Sequence, residues 1–186
     1  MINVTCKFSV PLGRSDYYDY VRALDLSIES FDDVILGKIA ADVLLLSDAE
    51  NDGWSVFDVC DADSQGMYEL YEALFENGQF QTELGVNEVT FHIIFLWRSV
   101  LHPKIQPYQQ AILEVITTLF GHECVIVTWR DVFELSDKQL AEMGFSKIAG
   151  TGFVFRHAAL RTDYSDANPQ GIDVDLDFRS DEEDEK

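Results

Sequence analysis

The segment between Phe91 and Phe120 constrains the fold more than any other part of this chain. It reads FHIIFLWRSVLHPKIQPYQQAILEVITTLF, in which an apolar run, a short polar loop and an amphipathic pattern follow one another. The run over 89–97 is apolar at successive positions, which predicts a central strand covered on both faces. Apolar residues at helical spacing then predict a helix over about 108–120, ending at Gly121.

The loop of this unit runs from His102 to Gln110. Strand-loop-helix units often direct backbone N–H groups and a helix N-terminus at a phosphate. Loops of that kind are normally rich in glycine, because the backbone must approach the anion closely. This loop contains Pro103 and Pro107 but no glycine, serine or threonine. The segment therefore has the outline of a cofactor-binding unit without its usual chemistry.

The remaining sequence predicts alternating strands and helices. A helix is expected over about 16–28, with Ser15 as its N-cap. The Asn51-Asp52-Gly53 turn is expected to lead into a hairpin arm at 54–60. Further strands are expected over 2–10, 34–46, 124–129 and 152–156, and further helices over 64–77 and after the Ser136–Gln139 capping box. Gly37 is expected to mark a bulge or a close approach. This order predicts a mixed sheet with helices on both faces.

Length and charge indicate one domain with an acidic tail. The chain has 186 residues, of which 47% are hydrophobic, enough for a packed core. The formal net charge is −21. Residues 161–186 contain 10 acidic and 3 basic residues, and residues 1–160 carry the remaining −14. We therefore expect a domain over 1–160 and an acidic, flexible tail over 161–186.

The acidity argues against several partners. Direct binding to nucleic acid and to anionic membranes is disfavoured, because both require Lys and Arg. A basic protein partner would be attracted, although a negative surface also serves solubility alone. Three scattered cysteines, no secretory signal pattern and no apolar run of about 20 residues predict a cytoplasmic protein. The histidines form no HxH or HExxH motif, so no metal site is predicted.

Two stretches resemble the GNAT (GCN5-related N-acetyltransferase) superfamily. SVLHPKIQPYQQAILEVI is similar to the family's strand-to-helix segment, and LAEMGFSKIAGTGFVF is similar to its C-terminal part. Gly144-Phe145 matches the family's Gly-Phe pair. The resemblance implies an α/β (α+β) fold with a mixed, mostly antiparallel sheet. It also implies that the central strand and the strand at 124–129 splay apart beside Val100 to admit an acyl-CoA.

The resemblance further implies where acetyl-CoA or another acyl-CoA would bind. The positions that match are Val100, Leu101, His102, Gln106, Tyr108, Gln109 and Gln110. Pro107 and Gln109 stand where the family has glycines, and proline has no N–H to donate. Leu140 stands where the family has its general-acid tyrosine. The resemblance therefore supports the fold more than acyl-CoA chemistry.

His92 and Glu88 are the candidate catalytic residues. His92 lies within the predicted central strand, where a general base could deprotonate an amine. A hydrogen-bonded core histidine is the favoured interpretation of His92. Glu88 and Asp61 are alternative bases at predicted strand ends, where surface carboxylates are common. Asp58, Asp61 and Asp63 could bind a cation or a basic substrate, but a solvated strand end with a helix cap is the favoured interpretation.

The sequence leaves three functional hypotheses open. The leading hypothesis is a non-catalytic or strongly divergent GNAT-like protein that binds a basic partner through an acidic surface. The alternative is an N-acyltransferase that moves an acyl group from acyl-CoA to an amine. The third is an acidic mimic of nucleic acid, which would require a continuous stripe of carboxylates. Oligomeric state is not predicted.

Overall fold

The computed structural model describes residues 2–8, 16–86, 90–121 and 123–158. Its strands are β1 (Ile2–Phe8), β2 (Val21–Ser30), β3 (Ile35–Leu45), β4 (Phe75–Glu76), β5 (Gln79–Phe80), β6 (His92–Leu101), β7 (Cys124–Trp129), β8 (Ser146–Lys147) and β9 (Phe153–His157). Its helices are α1 (Leu46–Asn51), α2 (Val56–Asp63), α3 (Gln65–Leu74), α4 (Gln109–Phe120) and α5 (Asp137–Glu142). Short 3-10 helices cover Tyr17–Tyr20, Thr82–Leu84 and Pro103–Tyr108.

Seven strands form one sheet in the order β1-β2-β3-β6-β7-β9-β8. Neighbouring strands are antiparallel except β6 and β7, which are parallel and joined through α4. A parallel pair needs such a crossover, because its connection must return to the starting end of the sheet. The predicted mixed sheet, mostly antiparallel, is confirmed. The hairpin of β4 and β5 stands apart from it.

One face of the sheet packs against α4 and α5, and we call it the α4 face. Ile39, Ile94 and Ile126 of three neighbouring strands lie there, in a cluster with Ile112 and Ile116 of α4. The spacing of the apolar residues of α4 is that of a single buried helix stripe. This burial packs the strand and the helix of the segment from Phe91 to Phe120 into one core.

The opposite face carries a different cover. Residues 46–86, which include α1, α2, α3 and the β4–β5 hairpin, form a unit that we call the cap. Met67, Leu70 and Leu74 of α3 are buried in one cluster with Ile93 and Phe95 of β6. Helices therefore pack on both faces, as the sequence predicts.

The cap covers only part of its face. Where β1, β2, β3 and the C-terminal end of β6 meet, the side chains on this face remain accessible. Thr5, Lys7, Asp25, Lys38 and Val100 all belong to this region, which we call the open half. The open half is thus a bare sheet surface beside a covered one.

The predicted helix over 16–28 is wrong. The chain forms one turn of 3-10 helix at Tyr17–Tyr20, capped by Asp16, and then the ten-residue strand β2. Leu24, Leu26 and Ile28 are buried and alternate with more accessible residues. The apolar residues Val21, Leu24 and Ile28 fit the helical period of 3.6 residues and therefore predict a helix, whereas the segment follows the strand period of 2.

The predicted hairpin arm at 54–60 is also wrong. The turn at Gly53 is present, but Ser55 caps α2 through its side chain, which accepts from the N–H of Asp58. The short apolar run WSVFDVC has too few residues for periodicity to separate a strand from a helix. The capping serine was the signal that could have decided it.

Several local predictions are confirmed. The helix expected over 64–77 is present as the shorter α3, the predicted capping box of Ser136 and Gln139 opens α5, and α4 ends at Gly121. Gly37 is a position of close approach, because a Cβ there would lie 2.7 Å from Leu101 Cδ2. The predicted tail over 161–186 lies outside the described residues.

Candidate functional site

Strands β6 and β7 part from each other halfway along β6. Their ladder runs from His92 paired with Cys124 to Leu96 paired with Thr128, and residues 97–101 have no partner on β7. The register between β3 and β6 shifts at this point, which leaves Trp97 as the extra residue of a bulge. Thr128 Oγ1 donates to the Leu96 carbonyl over 2.8 Å and ends the ladder.

The loop after β6 is a 3-10 helix that continues into α4. His102 caps it, because its Nδ1 accepts from the N–H of Lys104 and its carbonyl accepts from that of Ile105. The N–H of Gln109 donates to the Gln106 carbonyl. A 3-10 helix likewise directs its remaining N–H groups at carbonyls three residues earlier.

These bonds decide what the loop can hold. Pro103 and Pro107 have no N–H, and the N–H groups between them are engaged inside the 3-10 helix. The Gln109 side chain is buried, with 5% of its surface exposed, so it fills space beside the helix start. The described loop therefore lacks the cradle of N–H groups that a pyrophosphate needs.

His92 lies far from that loop. It is the first residue of β6, nine residues before Leu101, or about 30 Å along the strand. Burial lowers the pKa of His92. Its ring packs against Phe120 with centroids 5.9 Å apart. The structure thus separates His92 from the residues proposed for acyl-CoA binding, and Glu88 lies outside the described residues.

The other carboxylates that the sequence singled out lie on a helix. Asp58, Asp61 and Asp63 belong to α2, with Asp58 and Asp61 exposed and Asp63 half-buried. Burial raises the pKa of Asp63. Among the described residues, no group of three or more His, Cys, Asp or Glu could hold a metal ion.

Asp42 is a site residue that the sequence analysis missed. It lies on β3 opposite Phe95, at the border between the cap and the open half. Its pKa is raised to about 6, mainly by burial and also by the charges of Asp63 and Asp25, while a hydrogen bond with Trp97 opposes the shift. A lone carboxylate inside the apolar run ILGKIAADVLLL was the signal that could have found it.

A groove of about 970 Å³ runs over the open half. Its charged lining consists of Lys7, Lys38 and Arg98 with the single carboxylate Asp25. Apolar side chains line it too, and Val100 and Ile35 are exposed over 57% and 54% of their surface. In a chain of net charge −21, this lining has a net positive charge.

The cap has the opposite character. Residues 46–86 contain ten acidic residues and no lysine or arginine. Eight of the ten are exposed: Glu50, Asp52, Asp58, Asp61, Glu69, Glu72, Glu76 and Glu83. Between α3 and the Thr82–Leu84 turn, Glu72, Glu76 and Glu83 line a recess of about 530 Å³ beside Phe75.

A row of aromatic rings follows the same surface. Tyr71 stacks on Phe75 with centroids 5.0 Å apart, and Phe75 stacks on Phe80 at 4.4 Å. Phe57 meets Tyr71 edge-on at 5.3 Å. The negative charge of Glu72 raises the pKa of Tyr68. Carboxylates beside aromatic rings are the groups that attract Lys and Arg side chains.

The cysteines do not take part in either surface. Cys60 and Cys124 are buried, Cys6 is half-buried, and none of the three is in a disulfide. Burial raises the pKa of Cys6 to about 11 and those of Cys60 and Cys124 to about 12. These thiols are therefore protonated and unreactive at neutral pH.

The fold and these surfaces define a mixed α/β domain whose sheet has one covered and one half-covered face. None of the described helices is long and apolar enough to cross a membrane. Comparisons with protein-family models, with characterised proteins and with solved structures found no match.

Proposed function

We propose that this chain is a divergent GNAT-like domain that works as a protein-binding module and recognises a basic segment through its cap. The observation that carries the proposal is the cap itself. Ten carboxylates lie within 41 consecutive residues that contain no cation, so none of them is neutralised from within the cap. A surface of one charge sign attracts a partner of the other sign and accelerates its association.

The recess around Phe75 gives this surface a defined contact point. A lysine or arginine entering it would meet Glu72, Glu76 and Glu83 on its rim and an aromatic ring at its wall. Exposed cation–π contacts contribute about 0.5–1 kcal/mol each, and exposed ion pairs contribute about 0.2–1 kcal/mol. Several such contacts are needed, so the partner should present a run of basic residues.

The sheet supports the GNAT-like part of the proposal. It is mostly antiparallel, β6 and β7 form the only parallel pair among the described strands, and these two strands part at Trp97. The engaged N–H groups of the Pro103–Tyr108 helix argue against acyl-CoA as the ligand. A binding module that has lost its cofactor accommodates both observations.

The test is calorimetric titration with an arginine- and lysine-rich peptide of about 20 residues. We expect binding that weakens steeply as salt rises, because exposed charges are screened beyond about 10 Å at 0.1 M salt. The variant Glu72→Gln/Glu76→Gln/Glu83→Gln should bind about three- to a hundredfold more weakly, since each lost contact costs about 0.2–1 kcal/mol.

The matched control changes net charge equally outside the cap. Asp32, Asp131 and Glu142 are exposed. The variant Asp32→Asn/Asp131→Asn/Glu142→Gln should bind almost as tightly as the unchanged protein. Equal weakening in both variants would mean that net charge alone attracts the peptide, and no binding at low salt would refute the proposal outright.

A second candidate, an N-acyltransferase, rests on one specific arrangement. Asp42, with its pKa near 6, lies beside Trp97, where β6 leaves β7. A carboxylate of that pKa can accept a proton from an amine near neutral pH. Acetyl-CoA at a hundred times its Kd would stabilise such an enzyme by about 2.7 kcal/mol. No thermal shift at millimolar acetyl-CoA would exclude this candidate.

A further inference from the structure

The cations of the open half differ from most of the other described cations because they form no ion pair with another described residue. Elsewhere in the described chain, ion pairs join Arg22 to Asp19, Arg130 and Lys147 to Asp137, and Lys138 to Glu142. Arg156 donates to the carbonyl of Met143. Lys7, Lys38 and Arg98 form no ion pair within the described residues, although all three line one groove.

The strand register fixes how these cations are arranged. Lys7, Asp25, Ala40 and Arg98 occupy one row across β1, β2, β3 and β6. Strands lie about 4.8 Å apart, so Lys7 and Arg98 are separated by about 14 Å. Lys38 and Val100 face each other in the next row. Cationic and apolar groups therefore alternate over the length of a short extended peptide.

The same chain contains a segment of matching chemistry. Residues 172–178 read IDVDLDF, in which Asp173, Asp175 and Asp177 alternate with four apolar residues. The sequence SDEEDEK follows at 180–186 after Arg179. In an extended chain, alternate residues point to opposite sides and carboxylates recur about every 6.6 Å. The segment can thus turn its row of carboxylates toward the sheet, with its apolar side chains on the opposite side.

We propose that the groove on the open half is a docking site for this acidic C-terminal segment, residues 172–178, of the same chain. Lys7, Lys38 and Arg98 receive its carboxylates, and Trp97, which lines the same groove, lies beside it. The docking is independent of the basic partner proposed for the cap, since it uses other residues and the opposite charge.

The length of the connection permits this docking. The last described strand ends at His157, whose row on the sheet contains Val125 and Ile93. From there to Arg98 the path covers two strand spacings and five residues, or roughly 20–25 Å. Fourteen residues separate His157 from Ile172, and they can span about 45 Å when extended.

Tethering makes even a weak contact effective. A short flexible linker gives an effective concentration in the millimolar range. The segment therefore occupies the groove for most of the time if the separate peptide binds with a Kd below about 1 mM. Rising salt should release it, because exposed ion pairs are screened.

The test uses nuclear magnetic resonance of the Trp97 indole N–H, assigned with a Trp97→Phe variant. Its signal is compared between the full chain and a chain that ends at Leu160. We expect the two signals to differ, and a synthetic peptide of residues 168–186 should restore the full-length position when added to the shortened chain. The variant Lys7→Gln/Lys38→Gln/Arg98→Gln should weaken that peptide at least about tenfold, since it loses three charge contacts.

Lys138→Gln is the control, because it removes an exposed cation away from the groove. It should leave the peptide affinity unchanged within about twofold. An identical Trp97 signal in the long and short chains, or equal binding by the groove variant, would overturn the proposal. Sedimentation tests whether the groove instead binds the acidic cap of a second copy. Self-association that persists in the shortened chain would support that alternative and overturn the proposal.

Discussion

The sheet face opposite α4 has one half covered by the cap and one open half, and β3 and β6 run through both, yet the two halves present surfaces of opposite charge. On the covered half, α3 buries Ile93 and Phe95, and the outer side of the cap is acidic throughout. On the open half, Lys7, Lys38 and Arg98 stand on bare strands. Asp42 marks the border between them. The comparison shows that a chain of net charge −21 has both a negative surface, on the cap, and a positive one, in the groove of the open half.

This division assigns separate tasks to the two halves. The cap stabilises the fold on its inner side, because burial of apolar surface contributes about 25 cal/mol per Å². Its outer side carries the exposed carboxylates. The open half buries little on this face, so its residues can change with small effects on folding. Stability and anion attraction should therefore respond to different substitutions.

The largest expected effect comes from removing cap packing. Leu70 is 1% exposed and lies between α3 and the sheet. Leu70→Ala should lower the free energy of unfolding by about 2–5 kcal/mol, because it leaves a cavity. Denaturant unfolding followed by circular dichroism measures this.

Val100→Ala is the corresponding change on the open half. Because Val100 is exposed, it should change the free energy of unfolding by less than about 0.5 kcal/mol. Equal losses from both substitutions would remove the distinction between a covered and an open half.

The next effect concerns the attachment of the Pro103–Tyr108 helix beneath the open half. Gly37→Ala would place a Cβ 2.7 Å from Leu101 Cδ2 and 2.9 Å from Ile105 Cδ1. We expect a loss of about 1–3 kcal/mol from overpacking. Gly152→Ala, where the nearest atom lies at 3.9 Å, should be almost neutral and controls for the general effect of alanine. A neutral Gly37→Ala would show that β3 and this helix are not in contact.

A smaller effect is expected at the border. The pKa of Asp42 is raised from 3.8 to about 6 in the folded state, so the folded state binds its proton more tightly. Stability therefore falls as pH rises from about 4 to 6 and stays reduced above that range. Asp42→Asn should stabilise the protein by about 1 kcal/mol at pH 7.5, after allowance for solvent screening.

The same substitution should have almost no effect at pH 3.5. There the folded carboxyl is protonated and resembles the amide in charge. Thermal unfolding at both pH values gives the comparison. A stabilisation that does not depend on pH would show that Asp42 is not titrating within this range.

The central unit of the fold could be read from sequence because its signals agree. The apolar run of β6, the helical spacing in α4 and Gly121 all predict the same elements, and the structure has them. The region before it was less readable. Leu24 and Ile28 are four residues apart, which fits a helix and a strand alike, and the pairing of β2 with β1 and β3 selects the strand.

The candidate site was predicted only in part. The sequence indicated that the loop from His102 to Gln110 lacks glycine, and the structure adds that its N–H groups are engaged. The open half was not foreseen, since Lys7, Lys38 and Arg98 are distant in sequence and meet only through strand pairing. The cap is detectable in the sequence as a stretch without Lys or Arg, but the net charge of residues 1–160 as a whole does not show where the acidic residues are concentrated.

The most direct test of the account is a titration of the ¹⁵N-labelled full chain with the basic peptide, followed residue by residue. We predict that the amide signals that move belong to residues 46–86, above all around Glu72, Phe75 and Glu83, and that they return as salt is raised. Signals of Lys38 and Arg98 should stay in place. Movement centred on the open half, or no movement at low salt, would contradict the assignment of the cap as the binding surface.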